Sequence, residues 1–269
     1  MLCDLNPTTT PEPTTLRSLQ RYASHQTELI ESLLDPSSPN HHFRDCDDEY
    51  WVQFWLSVWD KDPDSLDETE KVEGDPDPID GSPILSDVVP SNRDVMNQPG
   101  AYREAEEFAL SVCGGAAKYD GLVIAGQPGI GKSVFLLRIL LRRLALKLPT
   151  ALQIRPNHAL LFCRGGVKEF SRLENRSVYH PLKSEHGPPG RIWVLVDSNR
   201  ELHEPAPAFQ EGFFFVVEVS SPRPSRHEWI RGIRSMSFYM KSWSFMEVLQ
   251  AQVDLPAGIH NTYIFTAGR

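Results

Sequence analysis

The sequence predicts an α/β fold in which a mostly parallel sheet lies between two layers of helices. From about residue 95 onwards, apolar runs of strand length alternate with stretches of helical periodicity, which is typical of strand–helix–strand units. The apolar runs lack regular polar positions, so we expect strands that are buried on both faces. A chain of 269 residues with 40% hydrophobic residues is long enough for one such domain and a smaller appendage.

A glycine-rich stretch within this region predicts a phosphate-binding loop. Residues 126–133 match the pattern G-x-x-x-x-G-K-[ST] and lie between the apolar run Gly121–Ala125 and the helix-like Val134–Leu148. Small residues let backbone N–H groups point at phosphate oxygens, and the helix that follows adds its positive end. A plain glycine-rich turn is the alternative, but it has no need of Lys-Ser at the helix start. The predicted phosphate-binding residues are Gly126, Gln127, Pro128, Gly129, Ile130, Gly131, Lys132 and Ser133.

The same chemistry predicts a metal site. Lys132 is expected to reach the β- and γ-phosphates as a point charge, and the Ser133 hydroxyl to bind Mg²⁺. A second acidic ligand should end another buried strand, and Asp197 closes the apolar run Arg191–Asp197. The alternative for Asp197 is a surface turn with the next two residues. We therefore predict Lys132 and Asp197 as catalytic residues, and Ser133 and Asp197 as ligands of Mg²⁺.

ATP is the nucleotide that the sequence favours. A GTPase carries N/T-K-x-D after the strand with the acidic metal ligand, and no such tetrapeptide follows Asp197. A small-molecule kinase would need an arginine-rich lid, and residues 164–176 contain some basic residues. The core of that region, Leu160–Val167, is better interpreted as a β-hairpin with Gly165-Gly166 as its turn.

These features together predict a three-layer P-loop NTPase sandwich with a five-stranded core sheet. The expected core strands are Gly121–Ala125, Leu152–Ile154, Arg191–Asp197, Gly212–Ser221 and Ser235–Met240. In the P-loop subclass that has an extra strand between the two motif strands, the run Phe213–Val219 would be that insert. Ser220 or Ser221 would then face the γ-phosphate, and a serine that merely ends the strand before Pro222 is an equal alternative.

Four short motifs follow one another in the second half of the chain. They are residues 126–133 with a Phe-Leu-Leu helix, Trp193–Ser198, Ser220–Arg223 followed by Glu228-Trp229, and Tyr239-Met240 with Trp243-Ser244. This series resembles the P-loop ATPase module of Crinkler and retrotransposon-hot-spot-type proteins, which form large families in fungi and other eukaryotes. The resemblance covers roughly residues 95–255. It implies an ATPase domain that relatives often join to a nuclease-like or other effector domain.

Two features depart from hydrolytic proteins of this kind. Many of them place Glu directly after the metal-binding Asp to polarise the attacking water, whereas Ser198 and Asn199 stand there. Glu201 and Glu218 are alternatives, although each is more typical of an ordinary surface or strand carboxylate. The sequence ends at Arg269, soon after the fifth strand, so we expect most of a C-terminal helical lid to be missing. We predict Mg²⁺-dependent ATP hydrolysis coupled to another task, with a nucleotide-gated interaction module as the alternative.

Residues 1–60 are expected to form a helical region, followed by an acidic linker at 61–94 and the domain at 95–269. Helical spacing predicts helices over Thr15–Leu34 and Asp47–Asp60, and the second carries Trp51, Trp55 and Trp59 on one face. We expect that face to pack within this unit or onto the sheet, with a partner protein as the alternative. Ten of the 36 acidic residues lie within residues 60–80, which favours a loosely ordered linker.

Charge and composition narrow the set of partners. The net charge of −9 argues against strong nucleic-acid binding, and a weak case for it comes from four cations on the first helix of the domain, Arg138, Arg142, Arg143 and Lys147. Four further arginines are candidates to meet the γ-phosphate of a neighbouring subunit in a homo-oligomer, namely Arg223, Arg226, Arg231 and Arg234. With no signal pattern and no apolar run of about 18 residues, the sequence predicts an intracellular protein without membrane contact.

Overall fold

The computed structural model describes residues 15–35, 43–59, 61, 100–115, 119–176, 179, 188–222 and 229–242. The strands in chain order are β1 (Phe43–Asp45), β2 (Gly121–Ala125), β3 (Thr150–Arg155), β4 (His158–Cys163), β5 (Gly166–Phe170), β6 (Ile192–Asp197), β7 (Phe214–Ser220) and β8 (Ser235–Tyr239). The helices are α1 (Leu16–Leu19), α2 (Ala23–Leu34), α3 (Glu49–Trp59), α4 (Gly100–Gly114) and α5 (Lys132–Ala145). Short 3-10 turns occupy Gln20–Tyr22, Pro188–Gly190, Pro207–Phe209 and Trp229–Arg231.

All eight strands form one mixed sheet in the order β1-β5-β4-β3-β6-β7-β2-β8. Five adjacent strands, from β3 to β8 in that order, are parallel to one another, so the prediction of an α/β fold with a mostly parallel sheet is confirmed. Strand β7 lies between β2 and β6, where the sequence analysis expected the run Phe213–Val219. Because parallel strands all end at the same edge, the loops after β2 and β6 are neighbours there.

Three antiparallel strands widen the sheet beyond the five that the sequence predicted. The expected hairpin is present as β4 and β5, and its two-residue turn is Arg164-Gly165, with Gly166 already in the strand at a φ of +103°. Strand β3 also turns directly into β4 at Pro156-Asn157, and the three-residue β1 pairs with β5. The hairpin is therefore part of the same sheet, because its first strand, β4, pairs with β3.

Helices and loops cover both faces of the sheet. One face holds α3, α4 and α5, whose apolar side chains pack with Leu122, Trp193 and Val217 of the strands. The opposite face holds Ile30 of α2 and the loop residue Phe209 against other strand side chains. Almost every residue of β2, β6 and β7 is buried, as expected for strands that are covered on both sides.

The residues before the acidic segment belong to the same sheet. Trp51 and Phe54 of α3 pack against Phe162 of β4, with ring centroids 5.8 Å and 6.1 Å apart, so the expected packing of this aromatic face onto the sheet is confirmed. The helix predicted over Thr15–Leu34 is instead two helices, because a 3-10 turn separates α1 from α2. The predicted linker beyond residue 61, Arg223, Arg226 and the chain after residue 242 lie outside the described residues.

Candidate functional site

The loop between β2 and α5 has the tight curvature that the glycine pattern predicts. Gly129 and Gly131 both have a φ of +83°, which is a left-handed conformation that favours glycine. A Cβ atom on Gly126 would lie 2.4 Å from the Ile130 Cδ1 atom and 3.3 Å from the Met240 carbonyl oxygen. The three glycines therefore allow the loop to fold back over the ends of β2 and β8.

Lys132 is the first residue of α5, and its side chain turns back over the loop. Its Nζ atom donates hydrogen bonds to the carbonyl oxygens of Gly126 at 2.9 Å and of Gln127 at 2.8 Å. The N-cap position of α5 is Gly131, which has no side chain to cap the helix, and the first turn contains no acidic residue. The positive end of the helix dipole and the lysine ammonium thus lie at the same loop, an arrangement that suits an anion.

The structure brings Ser133 and Asp197 together from distant parts of the sequence. Asp197 ends β6, and the Ser133 side chain lies close enough to its carboxylate for hydrogen bonding to lower its pKa. Burial raises the pKa of Asp197, while the bond from Ser133 and the charge of Lys132 act in the opposite direction without cancelling that effect. Two oxygen ligands of the kind that Mg²⁺ prefers are therefore adjacent, and one of them is a poorly solvated carboxylate.

The two residues after Asp197 are engaged in the local backbone. The Ser198 hydroxyl is buried and donates to the carbonyl oxygen of Leu202 at 3.1 Å. The Asn199 amide donates to the carbonyl oxygens of Ile154 at 3.0 Å and of Asp197 at 3.2 Å, and so joins the ends of β3 and β6. The position where many hydrolytic P-loop proteins carry a water-polarising carboxylate is therefore occupied by side chains that bond to the local backbone.

The two alternative carboxylates, Glu218 and Glu201, differ in their positions. Strand register pairs Asp197 with Val219, so Glu218 projects from the opposite face of the sheet, where its carboxylate accepts a hydrogen bond from the Trp229 indole. Glu201 is exposed in the loop after Asn199. The position of Glu218 therefore does not fit the role of the missing glutamate, whereas a role of Glu201 stays a prediction.

Strand alternation also separates the two predicted sensor serines. Ser220 follows Val219 in β7, so its side chain lies on the face opposite Asp197, and its hydroxyl donates to the Ser221 carbonyl oxygen at 3.2 Å. Ser221 comes one position beyond the strand. If the alternation of faces continued past the end of the strand, Ser221 and not Ser220 would lie on the face of Asp197.

The described arginines that the sequence analysis selected lie away from the site. Arg234 precedes β8 at the amino edge of the sheet, where it lies 3.5 Å from Asp120, and Arg231 is in the turn just before it. Both positions are at the edge opposite the loop of the same chain, and a contact with the γ-phosphate of a neighbouring subunit stays a prediction. Arg223 and Arg226 lie outside the described residues.

The basic residues of α5 are largely engaged within the protein. Arg142 and Arg138 lie 2.7 Å and 4.0 Å from Glu106 of α4. Arg143 is completely buried, donates to the Thr150 hydroxyl at 2.9 Å and stacks over the ring of Trp193. Burial lowers the pKa of Arg143 to about 9. Arg143 therefore contributes nothing to a basic surface, and nucleic-acid binding through this helix stays a prediction.

Sequence reasoning missed one residue that contacts the loop. Tyr102 of α4 is 1% exposed, and its hydroxyl donates a hydrogen bond to the Gly131 carbonyl oxygen at 2.7 Å. No local pattern in the sequence of α4 indicates which of its side chains would reach the loop. Only the packing of α4 against α5 reveals this contact.

Comparison of the chain with models of known protein families, with curated proteins and with solved structures found no match. In the part of the chain that the structure describes, no helix is sufficiently long and apolar to cross a lipid bilayer. The same part contains no cluster of three or more His, Cys, Asp or Glu side chains with the arrangement of a metal site. Ser133 and Asp197 differ from such a cluster because they would supply only two ligands, so that most coordination positions of a bound metal ion would be filled by other groups.

Proposed function

We propose that the protein is a P-loop NTPase that binds ATP together with Mg²⁺ at the carboxyl edge of its parallel strands. The observation that carries the proposal is that Ser133, which follows the loop lysine, lies close enough to Asp197, which ends a buried strand, to lower the pKa of that carboxylate. In the sequence these are two separate motifs, and a glycine-rich turn with an unrelated surface aspartate would have no reason to bring them together. The placement of β7 between the two motif strands further supports this class of fold.

Each residue of the site has a role in this proposal. The loop from Gly126 to Gly131 surrounds the phosphates with backbone N–H groups. Lys132 exchanges its bonds to two loop carbonyls for bonds to phosphate oxygens, which is favourable because those oxygens carry full charge. Ser133 and Asp197 hold Mg²⁺, and the remaining metal positions are left to phosphate oxygens and water, as is usual for this ion. ATP is preferred over GTP because the sequence lacks the tetrapeptide that reads guanine.

Hydrolysis of ATP by Mg²⁺-assisted attack of water is the reaction that this site suits, in keeping with the resemblance to Crinkler-type ATPase modules. The bound metal would stabilise charge on the transferred phosphoryl group. The described residues, however, place no carboxylate other than Asp197 beside Ser133.

The engagement of Ser198 and Asn199, with Glu218 on the opposite face, favours a second candidate function. In this alternative the protein binds Mg²⁺–ATP tightly, hydrolyses it slowly or not at all, and uses the bound state to control an interaction with a partner protein. The two candidates share one binding site and differ only in turnover.

The test is a titration of the purified protein with ATP, with and without Mg²⁺, together with a phosphate-release assay. We expect Lys132→Ala and Asp197→Ala to lose Mg²⁺–ATP binding by at least tenfold while their far-ultraviolet circular dichroism stays unchanged. Lys168→Ala is the matched control, because it also removes one lysine charge, from the distant strand β5. Equal Mg²⁺–ATP affinity in Lys132→Ala and the wild type would refute the proposal.

The phosphate-release arm separates the two candidates. Turnover that disappears in both site variants would establish an ATPase. Tight binding by the wild type with negligible release would instead favour the nucleotide-gated module, and ATP-dependent protection of residues 60–90 from protease would then be the next measurement.

A further inference from the structure

A second helix reaches into the phosphate loop through Tyr102 of α4. Its hydroxyl donates to the Gly131 carbonyl oxygen at 2.7 Å, and its ring packs edge-on against Phe135, with the two centroids 5.8 Å apart. Burial raises the pKa of the Tyr102 phenol, so the hydroxyl stays protonated and remains a donor. The contact joins residues from different elements, because α4 precedes β2 whereas Gly131 lies between the loop and α5.

The Gly131 carbonyl occupies a sensitive position in the loop. It also accepts the hydrogen bond of the Phe135 N–H at 2.9 Å, which is the first bond of α5. The peptide unit is planar and trans, so the direction of the Gly131 carbonyl fixes the direction of the Lys132 N–H in the same plane. That N–H belongs to the first turn of the helix, where backbone N–H groups point towards the loop.

Gly131 has a φ of +83°, and glycine has more conformational freedom than any other residue. Hydrogen bonds to its carbonyl oxygen are therefore needed to fix the direction of its peptide plane. A glycine in the left-handed region can rotate its peptide plane at little steric cost, and the Lys132 N–H would rotate with it. Two donors on one carbonyl, from Tyr102 and from Phe135, restrict that rotation.

We propose that Tyr102 is a positioning residue for triphosphate binding, which holds the Gly131–Lys132 peptide so that the Lys132 N–H is directed at a bound phosphate. This inference rests on the proposed function. Tyr102 itself does not touch the phosphates. Its hydroxyl acts by keeping one donor of the cradle oriented before the ligand arrives, which reduces the ordering cost of binding.

The chain supplies a matched control for this residue. Tyr179 is likewise fully buried, and its hydroxyl also donates to a backbone carbonyl, that of Ser171. Tyr179 packs with Phe43, Phe170 and Phe214 on the opposite face of the sheet. Tyr102→Phe and Tyr179→Phe therefore remove the same hydroxyl from similar surroundings, and only one of them adjoins the loop.

The experiment measures dissociation constants of the wild type, Tyr102→Phe, Tyr179→Phe and Lys132→Ala for two ligands, Mg²⁺–ATP and Mg²⁺–tripolyphosphate. We expect Tyr102→Phe to bind both ligands about fivefold more weakly, the factor that one neutral hydrogen bond provides. The loss should be the same for both ligands, because Tyr102 acts on the phosphate cradle and not on the base. Tyr179→Phe should bind both ligands as the wild type does.

Thermal unfolding of the same four proteins separates a positioning role from a merely structural one. If Tyr102→Phe lowers the melting temperature but leaves both dissociation constants unchanged, the inference is wrong and the proposed function stands, provided that Lys132→Ala has lost binding. A loss for ATP without a loss for tripolyphosphate would also overturn it. If the wild type binds neither ligand, the proposed function fails, and the role of Tyr102 fails with it.

Discussion

The two edges of the parallel strands both hold partly buried charges, but they are organised in opposite ways. At the amino edge, the Asp120 carboxylate lies 2.5 Å from Arg191 and 3.5 Å from Arg234, so two cations surround one anion. At the carboxyl edge, Asp197 lies near the Ser133 hydroxyl and the charge of Lys132, while the Lys132 ammonium itself donates hydrogen bonds to loop carbonyls. Burial raises the pKa of Asp197 despite both neighbours.

This difference separates a structural cluster from a candidate binding site. The amino-edge charges are mutually satisfied, and their net effect is to hold the starts of β2, β6 and β8 together. The carboxyl-edge charges are incompletely compensated, which costs folding free energy that a bound cation and phosphate would recover. Perturbed pKa values concentrate at functional sites for this reason. Substitutions at the two edges should therefore change the free energy of unfolding in opposite directions.

The largest expected effect is at the amino edge. Arg191→Ala leaves the Asp120 carboxylate buried with only the more exposed Arg234, so we expect the free energy of unfolding to fall by about 3 kcal/mol. Mg²⁺–ATP affinity should not change, because the substitution is at the opposite edge from the loop. Chemical denaturation and ligand titration of the purified variant measure the two quantities.

Arg234→Ala serves as the control for that prediction. Its side chain is 63% exposed, and an exposed ion pair contributes less than about 1 kcal/mol. The interpretation of this edge as purely structural would be wrong if Arg191→Ala weakened nucleotide binding more than Arg234→Ala does, after correction for the unfolded fraction.

At the carboxyl edge we expect a smaller effect of opposite sign. Asp197→Asn keeps a group that can accept the Ser133 hydrogen bond and removes a poorly solvated charge, so the ligand-free protein should become more stable at pH 7, on the order of 1 kcal/mol. Mg²⁺-dependent binding should be lost at the same time. Such a gain in stability with a loss of binding is the usual relation between a functional site and the fold.

The stability difference between Asp197→Asn and the wild type should depend on pH and decrease on acidification. The pKa of Asp197 is higher in the folded than in the unfolded state, so the folded state binds more protons and the cost of the charge disappears at low pH. The advantage of Asp197→Asn should be fully present above the raised pKa. It should shrink as the pH falls through that value, and vanish below the ordinary pKa of 3.8. An advantage that grows on acidification would contradict this account.

Local patterns predicted the phosphate loop and the strand that ends at Asp197, but not the contacts between elements that are distant in sequence. The glycine loop, Lys132 and the strand that ends at Asp197 are encoded within short segments, because each depends on a turn or a buried run. The pairing of Asp120 with Arg191 joins the starts of two strands, and the contact of Tyr102 with Gly131 joins two helices that β2 separates. Such contacts depend on strand order and helix packing, which a single sequence does not specify.

Some of the missed features had a signal that was overlooked. Arg143 follows Leu136 and Ile139 at helical spacings i+7 and i+4, so the periodicity of α5 already placed it on the apolar face, where it is fully buried. The antiparallel strands had a weaker signal. Strand β1 has only three residues, which is too short for a clear pattern. The turn between β3 and β4 has only two residues, so the sequence does not separate the two strands clearly.

The smallest expected effect concerns Glu218, which tests whether the face of the sheet decides function. Glu218→Gln keeps an oxygen that accepts the Trp229 indole hydrogen bond but removes the carboxylate that a general base would need. Since register places Glu218 on the face opposite Asp197, we expect Mg²⁺–ATP affinity and the rate of phosphate release to stay within twofold of the wild-type values. Single-turnover phosphate release is the measurement, with Asp197→Asn as the variant that should lose it. A tenfold or greater slowing in Glu218→Gln, at unchanged affinity, would show that this carboxylate acts on the nucleotide, and the assignment of the candidate site to the face of Asp197 would have to be abandoned.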